Sequence, residues 1–137
     1  MKTIDLHTHS KCSDGSFTPS ELMRLAHKSG LAAVALTDHD TMVGIKEARA
    51  AAAECGIEFV PGVELSCAYK GHDIHIVGLF IDEDDPVITQ KLEEIRIDRQ
   101  TRNSRMIEKM QAYGVNISEE MMRERCGKGV VTRAHFA

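Results

Sequence analysis

Residues 32–40 read AAVALTDHD. AAVALT is apolar without alternation, the pattern of a strand covered on both faces, as in a parallel sheet flanked by helices. It ends abruptly in Asp38, His39 and Asp40. In parallel α/β folds the chemistry gathers at the C-terminal ends of the strands. The neighbouring segments can therefore be read with the same rule.

Working towards the N-terminus, TPSELMRLAHKSG (18–30) predicts a helix of about ten residues. Thr18 is its N-cap, Pro19 its first position, Glu21 its third, and Gly30 its C-cap. Before it, Thr3–Leu6 reads as a short strand ending at His7, Thr8 and His9, with Asp14 following in a Gly/Ser-rich turn. Working towards the C-terminus, a helix is expected over Met42–Cys55, stopped by Gly56. IEFVPGVEL is then a third strand region, with Glu64 just after a Pro61-Gly62 break. DIHIVGLFI (73–81) is a fourth, carrying His75. Asp84 and Asp85 lead into Pro86 and a long helix over 86–112 closed by Gly114, and Ser118 caps a short helix. KGVVTRAHFA looks like the start of a further element.

Strand, crossover helix and strand in repetition imply an α/β fold of parallel strands with outer helices. No linker or low-complexity run divides residues 1–137, so one domain is expected. Four strands with their helices do not close a (β/α) barrel, which needs about 250 residues. The chain therefore reads as a small open α/β domain or as the first half of something larger.

Composition narrows the function. Apolar residues make up 42% and charged residues 28%, Trp is absent, and the formal net charge is −4. No bulk basic field is available to hold long nucleic acid, which leaves a small anionic substrate or a nucleic-acid end held locally. Cys12, Cys55, Cys67 and Cys126 are widely spaced with no CxxC pair and read as reduced thiols. No secretory signal precedes them in MKTIDL, and no apolar run approaches the ~18 residues of a membrane span. A cytoplasmic protein without membrane association is expected.

Four consecutive strand regions thus deliver a histidine or a carboxylate to what should be one rim. Each piece has an ordinary reading of its own. HxH can be fortuitous, the TDHD aspartates can accept backbone N–H groups, Glu64 can be a cap or an ion-pair partner, and His75 can be a satisfied core imidazole. Their coincidence favours a metal site. His27 and His72 are expected at the surface. Imidazole with carboxylate and no thiolate cluster suits Zn²⁺, Mn²⁺ or Fe²⁺. The donors exceed the needs of one ion, so two or more are expected, with Glu64 the best bridging candidate. On the long helix, Ile88, Leu92, Ile95, Met106 and Met110 form a stripe that Arg99 and Arg102 share. Those arginines are either solvated or aimed at a phosphate over the metal site, as guanidinium geometry favours.

DLHTHSKCSDGSFTP, VALTDHDT, PGVELS, HIVGLF, RQTRNSRMIEKM and TRAHFA together resemble the PHP domain (polymerase and histidinol phosphatase) family. Within it they are most similar to small metal-dependent phosphoesterases such as nucleoside 3′,5′-bisphosphate phosphatases and an RNA 5′-end exonuclease. The resemblance implies the N-terminal part of a distorted (β/α)₇ barrel with a trinuclear site. His7, His9 and Glu64 would hold one ion, Glu64, His75 and His135 a second, and Asp14 and His39 a third. It implies two to three divalent ions, a metal-bridging hydroxide as nucleophile, and Arg102 with Arg99 as phosphate contacts. The implied substrate is a small phosphorylated nucleoside or a nucleic-acid 5′ end. A later Asp-x-His pair of the family and its closing strands have no counterpart in the 137 residues. A missing C-terminal half, or self-association covering open sheet edges, is therefore expected, with poor turnover unless the site is completed. Two other readings are a catalytically silent PHP scaffold of a larger polymerase and a histidinol-phosphate phosphatase.

Overall fold

The computed structural model describes residues 2–127 and 129–136. Met1, Lys128 and Ala137 lie outside the described residues, so the last two leave the ends of KGVVTRAHFA unassigned. The elements run β1 (Thr3–Thr8), α1 (Pro19–Lys28), β2 (Leu31–Leu36), α2 (Ile45–Cys55), β3 (Glu58–Tyr69), β4 (His72–Leu79), α3 (Pro86–Ala112) and α4 (Glu119–Cys126). A single 3₁₀ turn, Arg133–Phe136, follows.

The strands form one sheet in the order β1-β2-β3-β4. Both β1 with β2 and β2 with β3 pair in parallel. Between them run α1 and α2, as the alternation of the sequence predicts. Thr18 caps α1 with a complete capping box to Glu21. The C-cap is Ser29 rather than Gly30, which takes the left-handed position one residue later at φ 78°. Helix α2 begins at Ile45, later than Met42, and ends at Gly56 with φ 73°. The core lies where α1 and α2 cover the sheet: Met23, Val34, Leu36, Ile45, Ala48 and Ala52 are each no more than 1% exposed. Its alanines let the two helices approach the sheet closely.

Beyond β2 the structure departs from the parallel expectation. Pro61 and Gly62 do not interrupt the third strand, which runs unbroken for 12 residues. Only its first part is parallel to β2, from Glu58 to Pro61 opposite Ala33 to Leu36. The rest pairs antiparallel with β4, from Gly62 opposite Leu79 to Tyr69 opposite His72. Lys70 and Gly71 alone connect these strands, at φ 50° and 81°. Two residues with positive φ make a tight hairpin turn matched to strand twist. A parallel return needs a crossover of about a dozen residues, so the Lys70-Gly71 spacing dictates the reversal. Proline fits in β3 because the ladder is handed from one partner to the other at that point.

Helix α3 spans 86–112 as predicted, with Asp85 accepting from Val87 and Ile88 at its N-terminus. Its inner face is unusual. Leu92 and Ile107 are buried, but so are Arg99 and Asn103. That face is polar where it crosses the strand ends, and it closes the site described next.

Candidate metal centre

HxH in a strand sends both imidazoles to one face, because side chains alternate with a period of two. The end of β1 is fixed against β2 by backbone and side chain together. Thr37 N–H and Oγ1 donate to the Thr8 carbonyl at 2.9 and 3.1 Å, and Thr8 Oγ1 donates to Ala35. His7 and His9 are thereby set at the end of the strand. His39 arrives from the end of β2 and pairs with Glu64 in an isolated parallel bridge. Glu64 lies inside β3, level with His39 and three residues beyond the end of β2. His75 lies inside β4, two pairs along, opposite Ser66. The strand-end rule thus holds for His7, His9 and His39, and a continuing hairpin supplies the other two.

Glu64, 4% exposed, is the centre of the arrangement. Its Oε2 lies 2.8 Å from His7 Nε2, 3.0 Å from His9 Nε2 and 3.6 Å from His39 Nδ1, while Oε1 lies 2.8 Å from His75 Nδ1. Asp14 reaches the other side, with Oδ2 3.5 Å from His39 Nε2 and Oδ1 3.8 Å from His9 Nδ1. The His9 and His39 rings stack at 4.7 Å between centroids. Burial by itself would raise the Glu64 pKa. The hydrogen bond with His7, the nearby His39 and the hydrogen bond with His75 outweigh it and hold the carboxyl below its usual range. Burial lowers the pKa of His39, against the pull of Asp14 and Glu64, which favours a neutral imidazole able to coordinate.

Among the described residues, three donor groups could each hold an ion: His7, His9 and Glu64; His9, Asp14 and His39; and His39, Glu64 and His75. They share Glu64, His9 and His39. His9 Nδ1 and His39 Nδ1 are buried without a hydrogen-bond partner. Buried polar atoms rarely go unpartnered, and nitrogen with carboxylate oxygen is the donor chemistry of borderline divalent ions. The residues therefore fit such ions.

The remaining predicted positions fall differently. Arg99 is drawn inward: it is 8% exposed, ion-paired with Asp40, and donates to Ser66 Oγ at 2.7 Å. Its guanidinium is spent on holding α3 against β3. Arg102, one turn on, donates to Asn103 at 3.1 Å and has a buried Nε with no partner. Burial and the nearby guanidiniums of Arg99 and Arg133 lower its pKa, a cost that a bound anion relieves. None of the three donor groups includes His135, whose Nδ1 accepts from Thr132 N–H at 3.0 Å. His27 and His72 are exposed, as expected.

Between this cluster and α3 lies an open cleft of about 500 Å³, lined by Asp14, His39, Ser66, His75, Arg102 and Arg133 among others. Arg133 is paired across it with Asp73. Sequence reading singled out neither of these, nor Ser66. Asp73 shares a face of β4 with His75 through the two-residue period of the strand, and Arg133 meets it from 60 residues away in sequence.

Residues 5–123 match the PHP domain. The chain is 42% identical over 138 residues to a 3′,5′-nucleoside bisphosphate phosphatase of Chromobacterium violaceum, covering 100% of this chain and 48% of that protein. It is 41% identical over 136 residues to a 5′-3′ exoribonuclease of Haemophilus influenzae, covering 99% of this chain and 49% of the relative. A solved structure from Bifidobacterium adolescentis, described as a metal-dependent phosphoesterase, superposes with a TM-score of 0.90 at 28% identity. That match covers 98% of this chain and 48% of the other. The chain thus spans about half the length of the curated relatives it matches. With a four-stranded α/β sheet, a rim of histidines around one glutamate, and a match over residues 5–123, the chain belongs to the PHP domain family.

Proposed function

We propose that the chain carries the metal-binding part of a phosphoesterase that hydrolyses a phosphomonoester on a small nucleotide, such as a nucleoside bisphosphate, or at an RNA 5′ end. The observation that carries this is one buried carboxylate, Glu64, within 3.6 Å of four imidazoles and across a cleft from a guanidinium with a free buried nitrogen. Two of the relatives are named for nucleotide and RNA-end hydrolysis, which supports the same substrate class.

In this reading His7, His9 and Glu64 would hold one ion, Glu64 and His75 a second, and Asp14 with His39 a third, of Mn²⁺, Zn²⁺ or Fe²⁺, because a neutral imidazole has one free lone pair and serves one ion. Bound there, such ions supply an activated water and neutralise charge on the phosphoryl group. Glu64, kept ionised by its imidazole neighbours, is an acceptor on both of its oxygens and suits the bridging position. Arg102 binds and orients the phosphate, as a fork-shaped donor does. Arg99 also lines the cleft, and through Asp40 and Ser66 it holds the helix that presents Arg102. The further ligands implied by the family pattern, His135 and a later Asp-x-His, are proposed to join when the other half of the relatives' length is present.

The test is phosphate release by the full-length protein from a nucleoside 3′,5′-bisphosphate and from a 5′-phosphorylated oligoribonucleotide. Activity should vanish in chelator and return with Mn²⁺. Arg102→Met should lower kcat/KM by about 10²-fold or more, the usual cost of losing a donor to a developing anion. Full activity in chelator would refute the reading.

A further inference from the structure

Asp38 stands next to His39 yet belongs to none of the three donor groups. It is 1% exposed, and both of its oxygens are occupied by the loop that follows β1. Oδ1 accepts from Ser10 N–H and from Ser13 Oγ, each at 2.7 Å, and Oδ2 accepts from Ser10 Oγ at 2.7 Å. Ser10 Oγ in turn accepts from Cys12 N–H at 3.1 Å. The loop closes on itself through Ser13 N–H and Gly15 N–H, which both donate to the Ser10 carbonyl at 3.0 and 2.9 Å. Asp14 lies inside this closed turn, between the anchored Ser13 and Gly15.

Within the turn the Asp14 carboxylate accepts from Ser13 Oγ at 3.4 Å, the same hydroxyl that reaches Asp38, and across the site it lies 3.8 Å from His9 and 3.5 Å from His39. Its position is therefore set by the turn that carries it, through backbone and Ser13 hydroxyl alike, and that turn is pinned to Asp38. The neighbouring donor groups gathered on Glu64 are fixed by strand pairing instead.

We propose that Asp38 is the positioning residue for the site formed by Asp14 and His39, against which His9 stacks. It fixes the 10–15 turn so that the Asp14 carboxylate meets the two stacked imidazoles, and thereby sets the affinity of that site for its divalent ion. This rests on the metal-site reading above and deepens it. Residues that orient ligands from outside the coordination sphere are typically worth about 10–100-fold in metal affinity.

The test is Mn²⁺ titration of the full-length protein, followed by the loss of the free-ion electron paramagnetic resonance signal, in wild type and Asp38→Asn. Asparagine preserves shape but supplies one acceptor oxygen where the loop needs two. Ser13→Ala, which removes a single hydroxyl and keeps the carboxylate, is the milder companion should the first variant fold poorly. Amide hydrogen exchange at Ser13 and Gly15 reports the turn itself. The expected result is one class of Mn²⁺ site weakened about 10–100-fold in Asp38→Asn, and less in Ser13→Ala. The other sites should be unchanged, and exchange at Ser13 and Gly15 faster. Equal titrations in variants and wild type would overturn the inference while leaving the metal reading intact. Wild type taking up no Mn²⁺ would defeat both.

Discussion

At the scale of single residues, TDHD shows how one short motif serves three destinations. Asp38 turns towards the loop after β1, His39 towards the cluster, and Asp40 towards β3 and α3, where it accepts from Ser66 N–H at 2.8 Å and pairs with Arg99. Asp40 does this from a left-handed conformation at φ 51°, which aspartate tolerates better than most residues. Both aspartates accept backbone N–H groups, the ordinary reading of such a motif, and His39 sits among metal-ligand types. The two readings of TDHD are compatible, because each belongs to a different residue. The same loop carries a steric constraint that residue type alone discloses only as a glycine. A Cβ on Gly15 would stand 2.1 Å from the His9 carbonyl oxygen. Gly15→Ala should destabilise the chain by about 1–3 kcal/mol, as forced overpacking does. Thermal or urea unfolding measures this, and an unchanged midpoint would mean that the turn relaxes freely.

At the scale of elements, the helices were the most legible part of the sequence. Thr18 with Glu21, Gly56, Asp85 with Pro86, and Ser118 each mark a boundary through a local hydrogen bond or backbone requirement, and local chemistry is what a sequence displays. The strands were less legible because their direction depends on what connects them. DIHIVGLFI reads as a strand in either sense, and only the two-residue Lys70-Gly71 link excludes a crossover. The polar interior face of α3 was half legible. Arg99 and Arg102 were placed on its stripe, but their different fates depend on Asp40, 59 residues from Arg99 in sequence. A further tie joins α2 to the segment before α3: Arg49 donates to both oxygens of Glu83, at 2.6 and 2.7 Å. That hydrogen bonding holds Glu83 below the ordinary carboxyl value of 4.5. The unfolded chain therefore takes up the proton first, so the contribution is complete above pH 4.5 and fades as pH falls through the folded value. A carboxyl NMR titration should find Glu83 below 4.5 and returned to it in Arg49→Ala; a normal Glu83 in the wild type would show that the pair does not persist in solution.

At the scale of the whole molecule, the sheet and its two covering helices form a conventional apolar core, while the region at and beyond the end of β2 is organised by charge. Glu64, Asp38, Asp40 and Arg99 are all buried there. Buried charge is costly unless paired or coordinated. Asp40 and Arg99 pair with each other, Asp38 is satisfied by hydroxyls and an amide, and Glu64 is met by imidazoles. His9 Nδ1 and His39 Nδ1 are left without partners, and divalent ions would complete them. The existence of this site was legible because four separated segments agreed on it. Its centre on Glu64 was expected from strand order, although the expected break before Glu64 does not exist. The most direct measurement is anomalous diffraction from crystals grown with Mn²⁺. The account predicts peaks in contact with both oxygens of the Glu64 carboxylate, with His7 and His9 on one side and His75 on the other. Crystals holding Mn²⁺ elsewhere, or nowhere, with Glu64 still bonded directly to its histidines, would contradict it.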